Sequence, residues 1–191
     1  SPYYAGVVTK AYRHAIDDFY ASDFDEKRYQ KELGTTQNRG FTDAYLLSRP
    51  FDRNDTESNE FSIQYGTHQV AGLVSEDGLS WKCKDKTCVG DSVEIVLPVG
   101  ATVELVDNDV GTIEEIEGSY VITFKKLTTK DGKVLECVHS GNVNEILLPA
   151  ALPGYTILRR EIAEALEKKG LTDTSTPMKL EQQVGSKNDA I

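Results

Sequence analysis

Three groupings of side chains in this sequence have types and spacings that could do chemistry. The first is sulfur with imidazole. Cys83 and Cys88 form a C-x4-C pair beside Lys82, Lys84 and Lys86, and Cys137 with His139 forms a C-x-H pair farther along. Three thiolates and an imidazole brought together would close a tetrahedral zinc site, and metal binding there would staple the fold. The spacing argues against zinc, because structural knuckles generally use C-x2-C. On strands, Cys137 and His139 would share a face while Cys83 and Cys88 would not. Burial as ordinary apolar thiols is the simpler reading of the three cysteines.

The second grouping is acidic: Asp107-Asn108-Asp109-Val110-Gly111, followed by Glu114-Glu115. Calcium takes six or more oxygen ligands from a loop of about twelve residues. This loop is too short, and its flanks, Val103–Val106 and Ile113, read as strands, so a hairpin turn with solvated acids is the better reading. The third grouping is basic. Lys125, Lys126, Lys130 and Lys133 surround the turn Asp131-Gly132, with Lys82, Lys84 and Lys86 as a second cluster. Small barrels hold RNA by combining such patches with exposed aromatic rings, here Trp81 and Tyr120. Lys82, Lys84, Lys86, Lys125, Lys126 and Trp81 are therefore the candidate contacts for an RNA or polypeptide substrate. The competing reading is that strand lysines guard sheet edges and Trp81 is core.

Catalysis is expected from none of these residues. A nucleophilic triad could draw on Cys83, Cys88, Cys137, His14, His68 and His139, but neither a nucleophile elbow nor an HExxH motif is present. His14, in a helix between Arg13 and Ala15, reads as a surface or interdomain residue.

Bulk composition sets further bounds. The net charge of −10, from 31 acidic and 21 basic residues, would repel a nucleic-acid backbone unless the cations are segregated on one face. An odd cysteine count argues against a disulfide framework and suits the reducing cytoplasm. There is no apolar run of the ~20 residues a bilayer requires, and no signal-peptide pattern. The absence of an initiator Met suggests a chain cut from something longer.

Ser1 and Pro2 suit a helix start. Tyr4, Val8, Ala11, Ala15 and Phe19 then recur at helical spacing and are expected to face a core. A second helix is expected over Glu26–Leu33, stopped by Gly34. After Phe41 the pattern turns to β: 61–65, 70–74, 93–97, 103–106, 120–124, 134–138 and 143–148 read as short strands. Turn signals such as Glu117-Gly118 and Asp131-Gly132 separate them. Such spacing predicts a mainly β fold, a small antiparallel β-barrel preceded by a helical segment. Residues 161–169 read as a closing helix and 173–191 as a polar, flexible tail.

Several passages, in order, are similar to peptidase family U32, the collagenase-like protease family. Ser1-Pro2-Tyr3-Tyr4, Val7-Val8, Ala11-Tyr12-Arg13 and Ala15-Ile16-Asp17 resemble the family's segment that follows its catalytic domain. Asn38-Arg39-Gly40-Phe41-Thr42 resembles the next hallmark, with Asp43-Ala44-Tyr45 departing from the usual Thr-Gly-Phe. Gly90-Asp91-Ser92-Val93-Glu94-Ile95 with Pro98, and Pro153 through Arg160, resemble two elements of the C-terminal barrel.

The resemblance implies a division into a helical segment (1–35) that follows the catalytic domain, a barrel (36–160), a short helix (161–172) and a tail (173–191). It implies a non-catalytic accessory role beside an upstream catalytic domain, aiding engagement of RNA or polypeptide. The alternative is a structural or oligomerisation barrel. For the parent it implies proteolysis, for which the family is named, or hydroxylation of tRNA wobble uridine, of a ribosomal RNA cytidine or of ubiquinone precursors. Any iron–sulfur cluster would belong to the upstream domain, and this chain is expected to carry no cofactor and to meet no membrane.

Overall fold

The structure, a computed structural model, describes residues 2–38 and 66–162. Two helices lead in, α1 (Pro2–Ala21) and α2 (Glu26–Gly34). Pro2 occupies the first turn of α1, where its missing N–H leaves no hydrogen bond unmade. The buried stripe of α1 is Tyr3, Val7 and Ala11; Ala11 is inside as expected, while Tyr3 and Val7 take the places expected for Tyr4 and Val8. Tyr4 and Phe19, expected inside, are exposed. The sequence is apolar on two adjacent faces here, and the underlying sheet selects only one. Asp25 caps α2, its carboxylate accepting from Lys27 N at 3.0 Å. The helix runs through Gly34 and is closed by Thr35 and Thr36, whose N–H groups donate to the carbonyls of Glu32 and Leu33 at 3.1 and 3.2 Å.

Short strands follow: β1 (His68–Val74), β2 (Ser80–Cys83), β3 (Thr87–Cys88), β4 (Ser92–Val96), β5 (Val106–Asp107), β6 (Gly111–Ile116), β7 (Ser119–Phe124), β8 (Leu127–Thr128), β9 (Val134–Leu135), β10 (Cys137–Val138), β11 (Ile146–Leu147) and β12 (Ile157–Glu161). Eight form one curled antiparallel sheet in the order β11-β2-β1-β12-β4-β7-β6-β5, a half-barrel, with β10-β3 and β8-β9 as separate two-stranded ladders. The fold is mainly β with helices at its N-terminal side, as the turn spacing predicts. The Glu117-Gly118 signal is the β6–β7 hairpin turn, with both residues at positive φ (50° and 79°). The acidic stretch Asp107 to Gly111 is also a turn. Asn108 Oδ1 accepts from Val110 N at 2.9 Å and Gly111 N at 3.2 Å.

The strand that organises the sheet is the one the sequence did not announce. β12, marked in the sequence only by the resemblance of Pro153 through Arg160 to a barrel element, lies centrally between β1 and β4. Its residues alternate between faces. Leu158 enters the main core with Trp81, Ile122 and Phe124, whereas Ile157 packs outward with Tyr3, Val7 and Val96 under α1. Of the stretch 103–106, only Val106 is in a strand. The expected strand 61–65 and the expected tail lie outside the described residues, as does the closing helix from residue 163 on. Glu161, assigned to that helix, ends β12.

The sheet also corrects the cysteine reading. Cys88 and Cys137 face each other in the β3–β10 ladder and are joined as a disulfide, leaving Cys83 free and buried. An odd count excludes full pairing but not the pairing of two residues that strand register brings face to face. Among the described residues, no helix is long and apolar enough to cross a membrane.

Candidate substrate cleft

A cleft of about 540 Å³ separates the two helices from the outer face of the sheet. Its floor is a buried guanidinium. Arg159, 5% exposed on β12, donates from Nε and Nη2 to the two Glu94 carboxylate oxygens on β4, at 2.8 and 2.7 Å. It also donates to both oxygens of Glu32 on α2, at 3.0 and 3.2 Å, and to Thr35 Oγ1 at 3.0 Å. One side chain thus ties two strands to a helix through charge-assisted bonds. Burial opposes its charge, but the bonds to Glu94 and Glu32 outweigh that and hold it protonated. Burial likewise pushes the Glu94 carboxyl up, and Arg159 more than reverses the effect, leaving it below the usual carboxylate range.

His68 on β1 stands beside this floor, its Nε2 3.6 Å from Glu94 Oε2. Burial, seconded by the charge of Arg159, lowers its pKa despite the nearby carboxylates. On the helical wall, Lys10 and His14 are four residues apart on α1 and therefore stacked on one face. Burial lowers the Lys10 pKa more than Glu32 and Glu94 raise it. His14 Nε2 is shielded from solvent and has no hydrogen-bond partner among the described residues. Arg28 and Lys31 come from α2, and Tyr120 from the opposite wall.

The residues singled out from the sequence do not assemble here. Trp81, a candidate stacking ring, is wholly buried and stacks on Phe124 with centroids 5.3 Å apart. Gly72 makes room for it, since a Cβ there would lie 2.2 Å from Trp81 Cε3. Lys82 is exposed but lies 3.4 Å from Glu145 Oε1, and Lys130 lies 2.9 Å from the other oxygen of that carboxylate, Oε2. Hydrogen bonds from Ser80 and Lys130 hold the Glu145 carboxyl down at about 2. Lys125 pairs with Asp107. Lys84, Lys86 and Lys126 are exposed and make no ion pair among the described residues.

The four zinc candidates do not converge either. Cys88 and Cys137 are bonded to each other, His139 is exposed, and Cys83 Sγ donates to Asp85 O at 2.8 Å. Burial pushes the Cys83 thiol up to about 11, so it is a poor thiolate donor. Among the described residues no group of three or more His, Cys, Asp or Glu could hold a metal. An iron–sulfur cluster, which takes four thiolates, does not fit a chain with three cysteines of which two are paired.

The sequence reading missed Lys10, Lys31 and Arg159 as site residues. The two lysines lie at polar positions of α1 and α2 that carry no motif. The usable signal was the pair Arg159-Arg160 directly after Ile157-Leu158 in a β-rich chain. Arg160 is also buried, donating to Thr87 Oγ1 at 2.7 Å and Lys86 O at 3.1 Å on the opposite face.

Comparison with known proteins places this geometry in context. The profile of peptidase family U32 matches residues 1–56. Two proteins of Helicobacter pylori named "tRNA hydroxylation protein P", from strains J99 and 26695, are 41% and 40% identical over 162 residues, 85% of this chain. The chain spans 38% of the length of these relatives. No solved structure matches. The chain belongs to peptidase family U32.

Proposed function

We propose that this chain is a non-catalytic accessory region that engages RNA for a tRNA-hydroxylating protein of family U32. The observation that carries the link to RNA modification is the 41% identity, over 85% of the chain, to a protein named for tRNA hydroxylation; the accessory role is our own inference. The reaction itself, and any iron–sulfur cluster, is assigned to parts of the parent protein outside these residues. We place the parent in the cytoplasm, where tRNA is found. The exposed rings of Phe19, Tyr20 and Phe24 on the helical lead-in are assigned to contact with the parent's catalytic domain.

A second reading, a purely structural or oligomerisation barrel, is favoured by one observation. Trp81 is buried, and Lys82 and Lys125 are each ion-paired, so the expected basic and aromatic patch does not form on one face.

The test uses a strain lacking the endogenous gene, complemented with the full-length parent or with a form deleted for the residues equivalent to 36–160. Hydroxylated nucleosides in cellular tRNA are measured by mass spectrometry. Loss of the modified base with a stable, folded deletion form is the expected result. Survival of the modification favours the structural reading. A base that is unchanged when the whole gene is absent removes the RNA reading altogether.

A further inference from the structure

The cleft between the helices and the sheet contains cations that no described residue pairs. Glu32 and Glu94 are both committed to Arg159. Lys10 is half-buried beside them without an ion pair among the described residues, and its burial outweighs the attraction of those carboxylates. Desolvating an ammonium in this way is unfavourable unless an anion comes to it. One turn farther along α1, His14 Nε2 is buried without a hydrogen-bond partner among the described residues. Lys31 on α2 adds a second cation without an ion pair among the described residues, and Arg28 lies 3.3 Å from Asp18 at the edge. The half-buried Tyr120 lines the facing wall, and the acids Glu117 and Glu161 also line the cleft. An anion therefore belongs against the helical wall, away from those two carboxylates. In a chain of net charge −10, this is a local exception of the kind a polyanion needs.

We propose that this cleft seats a phosphodiester segment of the RNA substrate, with Lys10, Lys31 and His14 meeting phosphate oxygens and Tyr120 flanking the adjoining base or sugar. The proposal deepens the RNA-engagement reading and rests on it. Contacts of this type supply affinity without sequence information, and each one lost lowers the salt dependence of binding. It also moves the RNA surface away from the lysines on β2 and the loop after it, to residues on the opposite side of β12.

The test measures binding of a tRNA transcript to the full-length parent protein by fluorescence polarisation across a salt series. Lys10→Ala and Lys31→Ala are each expected to weaken binding roughly three- to tenfold and to reduce the slope of log affinity against log salt by about one. Lys10→Arg is expected to restore both, which separates a phosphate contact from a folding defect. The double variant Lys84→Ala/Lys86→Ala tests the rival surface. If that variant loses affinity while folded Lys10→Ala and Lys31→Ala bind as wild type, the cleft proposal is overturned and RNA engagement stands. If the cleft variants lower melting temperature but leave the salt slope intact, the cleft is a docking seam for another part of the parent, and the proposal again fails. If the wild-type protein does not bind tRNA at all, the functional reading itself falls.

Discussion

Beneath the curled sheet a continuous apolar core joins Ala71, Trp81, Ile122, Phe124 and Leu158. The helical lead-in, by contrast, rests on the outer face through Tyr3 and Val7 against Val96, and through the single guanidinium of Arg159. One region is held by area removed from water, the other by a small apolar patch and a desolvated charge cluster. The first kind of attachment has no titrating group of its own. The second depends on the protonation of the groups that make it. The difference matters for function because the proposed RNA cleft lies along the second kind of seam.

The strongest way to break the comparison is at the centre of the core. Trp81→Ala is expected to cost about 3–5 kcal/mol in urea or thermal unfolding, because it removes a fully buried ring and its stacking on Phe124. A loss under about 1 kcal/mol would mean that the half-barrel is not organised around this ring.

Arg159→Ala attacks the other region. It leaves Glu32 and Glu94 partly buried without their shared counter-charge, a change that costs about 3 kcal/mol in comparable buried clusters. The informative readout is regional. Amide hydrogen exchange should rise in α2 well before it rises in the β6–β7 hairpin. Equal loss of protection in both would show that the lead-in and the half-barrel form one cooperative unit. A smaller effect comes from Gly72→Ala, whose added methyl would collide with Trp81. Overpacking of this kind costs about 1–3 kcal/mol, and it should appear in the half-barrel and leave α2 protection unchanged.

How far these two regions could be read from the sequence follows the same division. β1, β4 and β7 were legible because alternation and turn residues are local signals. β12 was not, because Arg159 and Arg160 break the apolar pattern, and distant partners, Glu32, Glu94, Thr87 and Asp91 among them, make their burial tolerable. The Cys88–Cys137 bond depends on the register of strands 49 residues apart, which parity counting does not see. Trp81 suits a core and a stacking platform equally well by type, and the glycine at position 72 that admits it lies on another strand. The cleft was the least legible feature. Lys10 acquires meaning only when α1 is laid on the sheet, and the stripe that lays it there is Tyr3-Val7-Ala11, one of two apolar stripes the sequence offers.

Acid should separate the two regions with the smallest effect but the sharpest sign. At the seam, burial and then Arg159 depress the His68 pKa below its ordinary 6.5, against the pull of Glu94, Glu161 and Glu32. The unfolded chain therefore binds a proton at a higher pH than the folded one. The stability tied to neutral His68 is complete above about 6.5 and is lost as pH falls through the folded pKa. Glu94 adds a further loss below its ordinary 4.5, again at the seam. In the half-barrel, Glu145 titrates near 2 instead of 4.5, so its contribution is intact above 4.5 and disappears only between 4.5 and about 2. Acidification from pH 7 to 5 should thus raise hydrogen exchange in α2 while the near-ultraviolet signal of Trp81 stays constant. That signal should fail only at lower pH. His68→Gln should abolish the first step and leave the second in place. Simultaneous loosening of both regions at a single pH would sink the idea that the lead-in is held by charge and the half-barrel by its core.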